Sequence, residues 1–292
     1  MCICASGREI TLATQQRYIE HIYRARQFFA EKQYIKACEE FETAFTFRND
    51  FVPDLYNCAE SYDKLNNTRK TLLYLKLSIA NGCDWYEDED KLLNLKKTKD
   101  YQPISQYVAY KMLFYKNVNM EYLRQLDSLV VHDQYVRNNS SAREDYMSVN
   151  DSLDMIGLKK LVDKYGYPTY EAVGYRGATD AFILLLHGWS MHDDHDHNYW
   201  QYYQPLILKE VKNFHLMPEY YAVLYDRAAS GGKGGKVCYG SQFEMNSDGS
   251  FGLTAINDVA NVDERRKAIG LPPLEDDLKI SGIALPEGYV RK

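Results

Sequence analysis

The sequence predicts a mainly α-helical protein, with helical repeats first and then a helical domain that carries one small β-hairpin. Three observations lead there. Ala25 recurs as Ala59, Phe28 as Tyr62, Phe41 as Leu75 and Ala44 as Ser78, each pair 34 positions apart and matched in size class, which is the period of a repeating helix pair. Later segments carry apolar residues at the three-and-four spacing of a helix face. Val237 to Phe243 and Phe251 to Ile256 read as strands on either side of Asn246-Ser247-Asp248-Gly249, and Asp-Gly between apolar runs is a strong turn signal.

The first helix is expected over residues 14 to 30, with Ile19, Ile22, Ala25, Phe28 and Phe29 in one stripe. A second, from 34 to 47, repeats the pattern with Ala37, Phe41, Ala44 and Phe45. The short linker Glu31-Lys32-Gln33 forces the two to lie antiparallel. Ala25 and Ala37 allow close backbone approach beside Phe28 and Phe41, and this alternation of small and aromatic residues resembles the tetratricopeptide pattern. Pro53 suits the first turn of the next pair, Leu55, Ala59, Tyr62 and Leu65 form its stripe, and Asn81-Gly82 is a helix stop. A third copy is missing, since the corresponding positions are Leu93 and Lys96. The segment from 85 to 115 reads as further helix that caps the pair. Such a platform is either a peptide-binding groove or a spacer packed on the rest of the chain.

At Met120 the composition shifts toward charges between short apolar runs. The expected organisation is a repeat unit at 14–118, a helical domain with the hairpin at 120–278 and a tail at 279–292. Helices are expected at 120–137, 148–165, 178–190, 198–213 and 218–229, with a last one near 263–268. Gly166-Tyr167-Pro168 breaks the chain between the second and third of these. Ala181 to Leu186 is apolar on all sides and ends in His187, and Tyr220 to Tyr225 ends in Asp226-Arg227. Successive helical residues point about 100° apart, so Asp226 and Arg227 each need a separate partner. His187, Gln242, Glu144 and Asp133 are the candidates by residue type.

Several motifs in this half occur in a recognisable order. Asp133-Gln134 with Arg137, Gly166-Tyr167-Pro168, His187, Asp226-Arg227, Tyr239-Gly240-Ser241-Gln242 and Arg265-Arg266 before Gly270-Leu271 together resemble an uncharacterised bacterial family of unknown function. Its members run Asp-Gln, Gly-Trp-Pro, Gln-His, Asp-Arg, Tyr-Gly-Thr-Gln and Arg-Arg to Gly-Leu. The resemblance covers about residues 120 to 278, and Tyr167, Leu186 and Ser241 depart from it. It implies a fold neighbourhood and a set of residues to test, with no reaction attached.

Two functions compete on these residues. The leading one is a protein-binding or peptide-binding adaptor acting through the helical repeats. The alternative is a hydrolase-like or transferase-like enzyme, with His187 as proton carrier oriented by Asp226, and with Arg227, Gln242, Ser241 and Tyr239 contacting substrate. A histidine beside a carboxylate suits acid-base chemistry because its pKa lies near neutrality. The competing expectation for the same residues is a structural network pinning helices to the hairpin.

Other readings are narrowed by composition. A net charge of −6 with no basic stripe argues against nucleic acid as a partner. Twenty-six tyrosines against 11 Phe point to half-exposed helix faces. Cys38 and Cys58 are expected as buried thiols, and no run approaches the roughly 18 apolar residues of a membrane span. His192, His195 and His197 in an acidic run form a conceivable metal set, but without scaffold spacing a solvated loop is the better expectation. Gly231 to Lys236 lacks the strand-loop-helix context of a phosphate loop, so no cofactor is expected. Met1 to Gly7 is too short for a signal peptide yet resembles the end of one. The expected location is cytoplasmic as written and exported if the start is trimmed; oligomeric state is not readable.

Overall fold

The computed structural model describes residues 12–83, 91–138, 144–188, 199–230, 235–246 and 248–292. The chain is mainly α with one small hairpin. Helices α1 (Leu12–Ala30) and α2 (Tyr34–Ala44) form a first pair, and α3 (Val52–Lys64) and α4 (Thr68–Ala80) a second. Of the echoed positions, Ala25, Ala59, Phe41, Leu75, Ala44, Ser78 and Tyr62 are buried, whereas Phe28 is only partly buried. Asn67 caps α4 by accepting the Lys70 N–H, and Cys38 and Cys58 are buried free thiols. Burial pushes the Cys38 thiol up to about 12, which leaves it unreactive at neutral pH.

The capping stretch is shorter than expected. In place of continuous helix, the described part contains 3₁₀ turns at Leu95–Lys97 and Ile104–Gln106 and then α5 (Val108–Asn117). Asp63 at the end of α3 accepts the Asn94 N–H at 3.0 Å and the Leu95 N–H at 2.6 Å, tying the first turn down locally. Pro103 then interrupts any helix before α5.

Five longer helices follow: α6 (Met120–Asn138), α7 (Glu144–Tyr165), α8 (Tyr170–Gly188), α9 (Tyr199–Lys212) and α10 (Pro218–Ser230). Helix α8 starts eight residues before the expected 178 and is broken at Gly174, where φ is 72° and ψ is 177°. The Phe114 ring lies where a Gly174 side chain would project, which fixes glycine there for both conformation and space.

The hairpin is smaller than expected. Strands β1 (Phe243–Met245) and β2 (Phe251–Leu253) pair antiparallel, with Phe243 opposite Leu253. Val237 joins Ile256 through an isolated parallel bridge, and the segment between Val237 and β1 is a loop. Helix α11 (Val262–Ala268) was expected in outline, whereas α12 (Leu274–Ser281) was not. The prolines Pro272-Pro273 read as a stop, but Pro273 occupies the position just before α12, where a missing N–H costs nothing.

One apolar core runs without a break from Tyr18 to Leu271, and a smaller one gathers Val237, Ile256, Val262, Leu274 and Leu278. The inner face of α1 and the segment between α2 and α3 lie against the second half of the chain. Arg26 donates to buried Asp54 at 3.0 Å and to Glu219 of α10 at 3.0 Å, and the Tyr23 hydroxyl also reaches Glu219 at 3.0 Å. Arg48 bonds the Phe214 carbonyl and lies over the Phe214 ring, 4.7 Å from its centre. Gln15 reaches the Val211 carbonyl at 3.2 Å. Gln15, Tyr23, Arg26 and Arg48 of the N-terminal segment thus contact the α9–α10 region of the same chain. No described helix is long and apolar enough to cross a membrane.

Candidate functional site

Three helices converge on a set of ionisable side chains. Asp133 and Arg137 are one turn apart on α6, so they share a face. Asp151 and Asp154 share the inward face of α7 with Met155, Leu158, Leu161 and Val162, two acids in an otherwise apolar stripe. His187 stands in the last turn of α8, where the helix dipole favours a cation.

The contacts are short and mutual. His187 Nδ1 lies 2.9 Å from Asp133 Oδ2 and 3.1 Å from Oδ1. Arg137 Nε lies 2.9 Å from Asp133 Oδ1 and 2.9 Å from His187 Nδ1, while its Nη2 donates to Asp151. The Gln134 amide donates to Asp133 Oδ2 at 2.7 Å. His132 approaches Asp154 at 3.7 Å. His187 Nδ1 faces both the Asp133 carboxylate and the Arg137 N–H, so its tautomer decides whether it donates to Asp133 or accepts from Arg137, and in either case the carboxylate accepts from Arg137. Asp133, Asp151 and Asp154 are buried, whereas Arg137 and His187 are partly open to solvent.

Burial affects the three acids unequally. It pushes Asp133 up, but the hydrogen bond and charge of His187, with Gln134 and Arg137, outweigh it and hold the carboxyl below its ordinary value. Asp151 is raised by burial despite Arg137. Burial also raises Asp154, against the pull of His132, and with the charges of Asp133 and Asp151 takes it to about 6. One oxygen each of Asp151 and Asp154 is buried without a hydrogen-bond partner among the described residues, as suits acids that hold protons more readily than usual.

A second polar group surrounds Asp226, which is wholly buried on α10. Its Oδ1 accepts the N–H groups of Cys238 at 2.7 Å and Tyr239 at 2.9 Å, and its Oδ2 accepts the Ser241 N–H at 2.9 Å and hydroxyl at 2.8 Å. Arg265 and Arg266 hold the other side of the same loop, bonding the Cys238 carbonyl at 2.9 Å and the Tyr239 carbonyl at 2.8 Å. Gln242 donates to the Val223 carbonyl at 3.2 Å. Tyr239 packs edge-on against Tyr225, ring centres 5.2 Å apart. Arg227 is half-buried, and its Nε has no hydrogen-bond partner among the described residues.

The residues nominated from sequence thus divide between two places. His187 pairs with Asp133, while Asp226, Tyr239, Ser241 and Gln242 belong to the loop clasp, where the oxygens of Asp226 are engaged by backbone N–H groups. His192, His195 and His197 lie outside the described residues, as does most of the glycine-rich stretch from 231. Among the described residues no three His, Cys, Asp or Glu side chains are arranged to share a metal ion; the Arg137 guanidinium is the cation between Asp133 and Asp151. Asp151, Asp154 and His132 were not singled out from the sequence. Two acids on the apolar stripe of α7 were the available signal.

No curated protein and no solved structure matches the chain. Residues 132–286, just over half of its length, match the Family of unknown function (DUF6624), a span that begins beside Asp133 and takes in Arg137, His187, the Asp226 clasp and both arginines of α11. The chain therefore belongs to the Family of unknown function (DUF6624).

Proposed function

We propose that this protein is a hydrolase-like or transferase-like enzyme in which His187 carries the proton and Asp133 orients it. The observation that carries the reading is the convergence of Asp133, Arg137 and His187 within 2.9 to 3.1 Å at a partly open position. His187 takes a proton from an attacking hydroxyl, of water or of an acceptor alcohol, and returns it to the leaving group. Asp133 stabilises the imidazolium that forms between those steps. Asp154, with its pKa near 6, is a second proton-holding group beside an ionised acid, the separation of roles that acid-base sites require. Asp226 has a different task in this reading, because its hydrogen-bonding capacity supports the 238–241 loop.

The N-terminal helix pairs, read from sequence as tetratricopeptide-like, act in this proposal as a fixed platform rather than a peptide-binding groove. The support is that Tyr23 and Arg26 of α1 and Arg48 between α2 and α3 are engaged by Glu219 and Phe214. The test is turnover of p-nitrophenyl acetate, p-nitrophenyl phosphate and bis-p-nitrophenyl phosphate by the full chain. Replacement His187→Gln is expected to lower kcat by about 100-fold or more on whichever probe is cleaved. Equal turnover by the variant, or none by the wild type on any probe, argues against the proposal.

A further inference from the structure

Two faces of α10 are engaged inside the protein. Tyr221 and Tyr225 lie against Trp200 of α9, with ring centres 6.1 and 5.6 Å away. Ala222 and Asp226 are buried, and Asp226 holds the 238–241 loop. The remaining face turns toward α8, where the Tyr220 ring packs on Phe182 with centres 4.9 Å apart and the Tyr220 and Thr179 hydroxyls meet at 2.9 Å. Arg227 follows Tyr220 by two helical turns, so the two side chains leave α10 within about 20° of one another.

Helices α8 and α10 run in the same direction. Both start from one junction, where the Tyr170 hydroxyl accepts the Met217 N–H at 3.3 Å. At the other end both meet the first turns of α9: the Tyr203 hydroxyl donates to the Met155 carbonyl at 3.5 Å, the Met155 side chain fills the space beside Gly188, and Trp200 holds Tyr225. Arg227, two turns beyond the Tyr220 contact, is therefore level with the last turn of α8. Leu186, two turns beyond Thr179, is on the side of that turn facing α10, and His187 stands about 100° further round.

Arg227 differs from the other arginines that are not exposed. Arg26, Arg48, Arg137, Arg265 and Arg266 each meet a carboxylate. Arg227 is half-buried with its Nε shut away from solvent, and its side chain makes no hydrogen bond or ion pair among the described residues. A guanidinium removed from water calls for an anion, and its planar fork matches two oxygens of a phosphate or carboxylate. Gln242 adds a neutral polar group nearby, since its amide donates to the carbonyl of Val223, one turn before Arg227.

We propose that Arg227 is the oxyanion-binding residue of the His187 centre and that its ligand is a phosphate or carboxylate group of the substrate. This rests on the reading of His187 as the proton carrier. The substrate spans the half-buried Leu186, with its anionic group on Arg227 and its reacting atom at His187.

The test is nuclear magnetic resonance of the full chain, labelled with ¹⁵N-arginine and observed at the Arg227 Nε–H and the His187 ring. Inorganic phosphate and, separately, acetate are added to about 50 mM at constant ionic strength. At least one of them is expected to move both signals with a common midpoint on the order of 1 mM. Arg227→Gln should raise that midpoint, read at His187, by about tenfold or more. Arg227→Lys keeps the charge without the fork and should raise it by about threefold. Replacing the exposed Arg24 of α1 by Gln should leave it unchanged. No movement with either anion overturns the proposal, as does movement at Arg227 that leaves His187 still, or movement at His187 that is indifferent to Arg227→Gln. The two readings fail separately: a chain that binds oxyanion at Arg227 but cleaves no nitrophenyl probe keeps the oxyanion site and loses the enzyme, while cleavage without binding does the reverse.

Discussion

His187 Nδ1 lies 2.9 Å from Asp133 Oδ2 although 54 positions separate the two residues in the chain. Helices α6 and α8 pack side by side, and the last turn of one delivers the imidazole to the last third of the other. Arg137, one turn beyond Asp133, completes a charge-alternating row that continues to Asp151. The stability of this row depends on pH in a direction that each acid sets separately.

The Asp133 carboxyl is held below its ordinary value in the folded protein. Its contribution is therefore present at neutral pH and lost as pH falls through the carboxylate range. Asp133→Asn should destabilise the protein by about 2 kcal/mol at neutral pH, because Arg137 loses one of its two buried carboxylate partners. Urea denaturation near neutrality and again near pH 3, below the ordinary carboxylate value of about 3.9, should show the gap between wild type and variant closing on acidification.

Asp154 behaves in the opposite sense, since its folded pKa of about 6 lies above the unfolded value. Its favourable contribution is complete below about pH 4 and disappears as pH rises through 6. Asp154→Asn should therefore stabilise the protein near pH 8 by on the order of 2 kcal/mol and have little effect near pH 4. Thermal melts across that interval measure it; a stabilisation independent of pH would remove the ionisation argument.

Arg26 bridges wholly buried Asp54 and partly buried Glu219. Arg26→Met strands the Asp54 charge and should cost about 3 to 5 kcal/mol. Adding Asp54→Asn should recover a substantial part of that loss, because the neutral amide does not need the cation. A double-mutant cycle by denaturant unfolding gives the coupling, and additive single effects would show that the contact is incidental.

Asp226→Ala should release the 238–241 loop without unfolding α10. The amides of Cys238, Tyr239 and Ser241, which donate to the carboxylate, are expected to exchange with solvent about 100-fold faster. Protection unchanged at all three would mean that Arg265 and Arg266 hold the loop without it.

Pattern and site were legible to different depths. The first four helices were readable because Ala25, Phe41, Ala59 and Leu75 stand on apolar stripes at helical spacing, and all four are buried. The clasp was half readable: Asp226 had to be buried after an apolar run, but that its partners would be backbone N–H groups of 238–241 left no mark on residue type. That loop was instead read as a strand, since Val237, Tyr239 and Ser241 imitate alternation. The partner of His187 was hidden for a similar reason. Asp133 and Asp226 are equally plausible carboxylates until the packing of α6 on α8 selects one.

The apolar core that runs from Tyr18 to Leu271 joins what the sequence pattern separates. Cutting the chain near Met120 would expose Phe214, Tyr170 and Val211 on one fragment and leave Asp54 without Glu219 on the other side of its arginine. Neither piece would inherit a finished interior. The change of pattern at Met120 is a border in composition, while heat or denaturant should meet a single cooperative body.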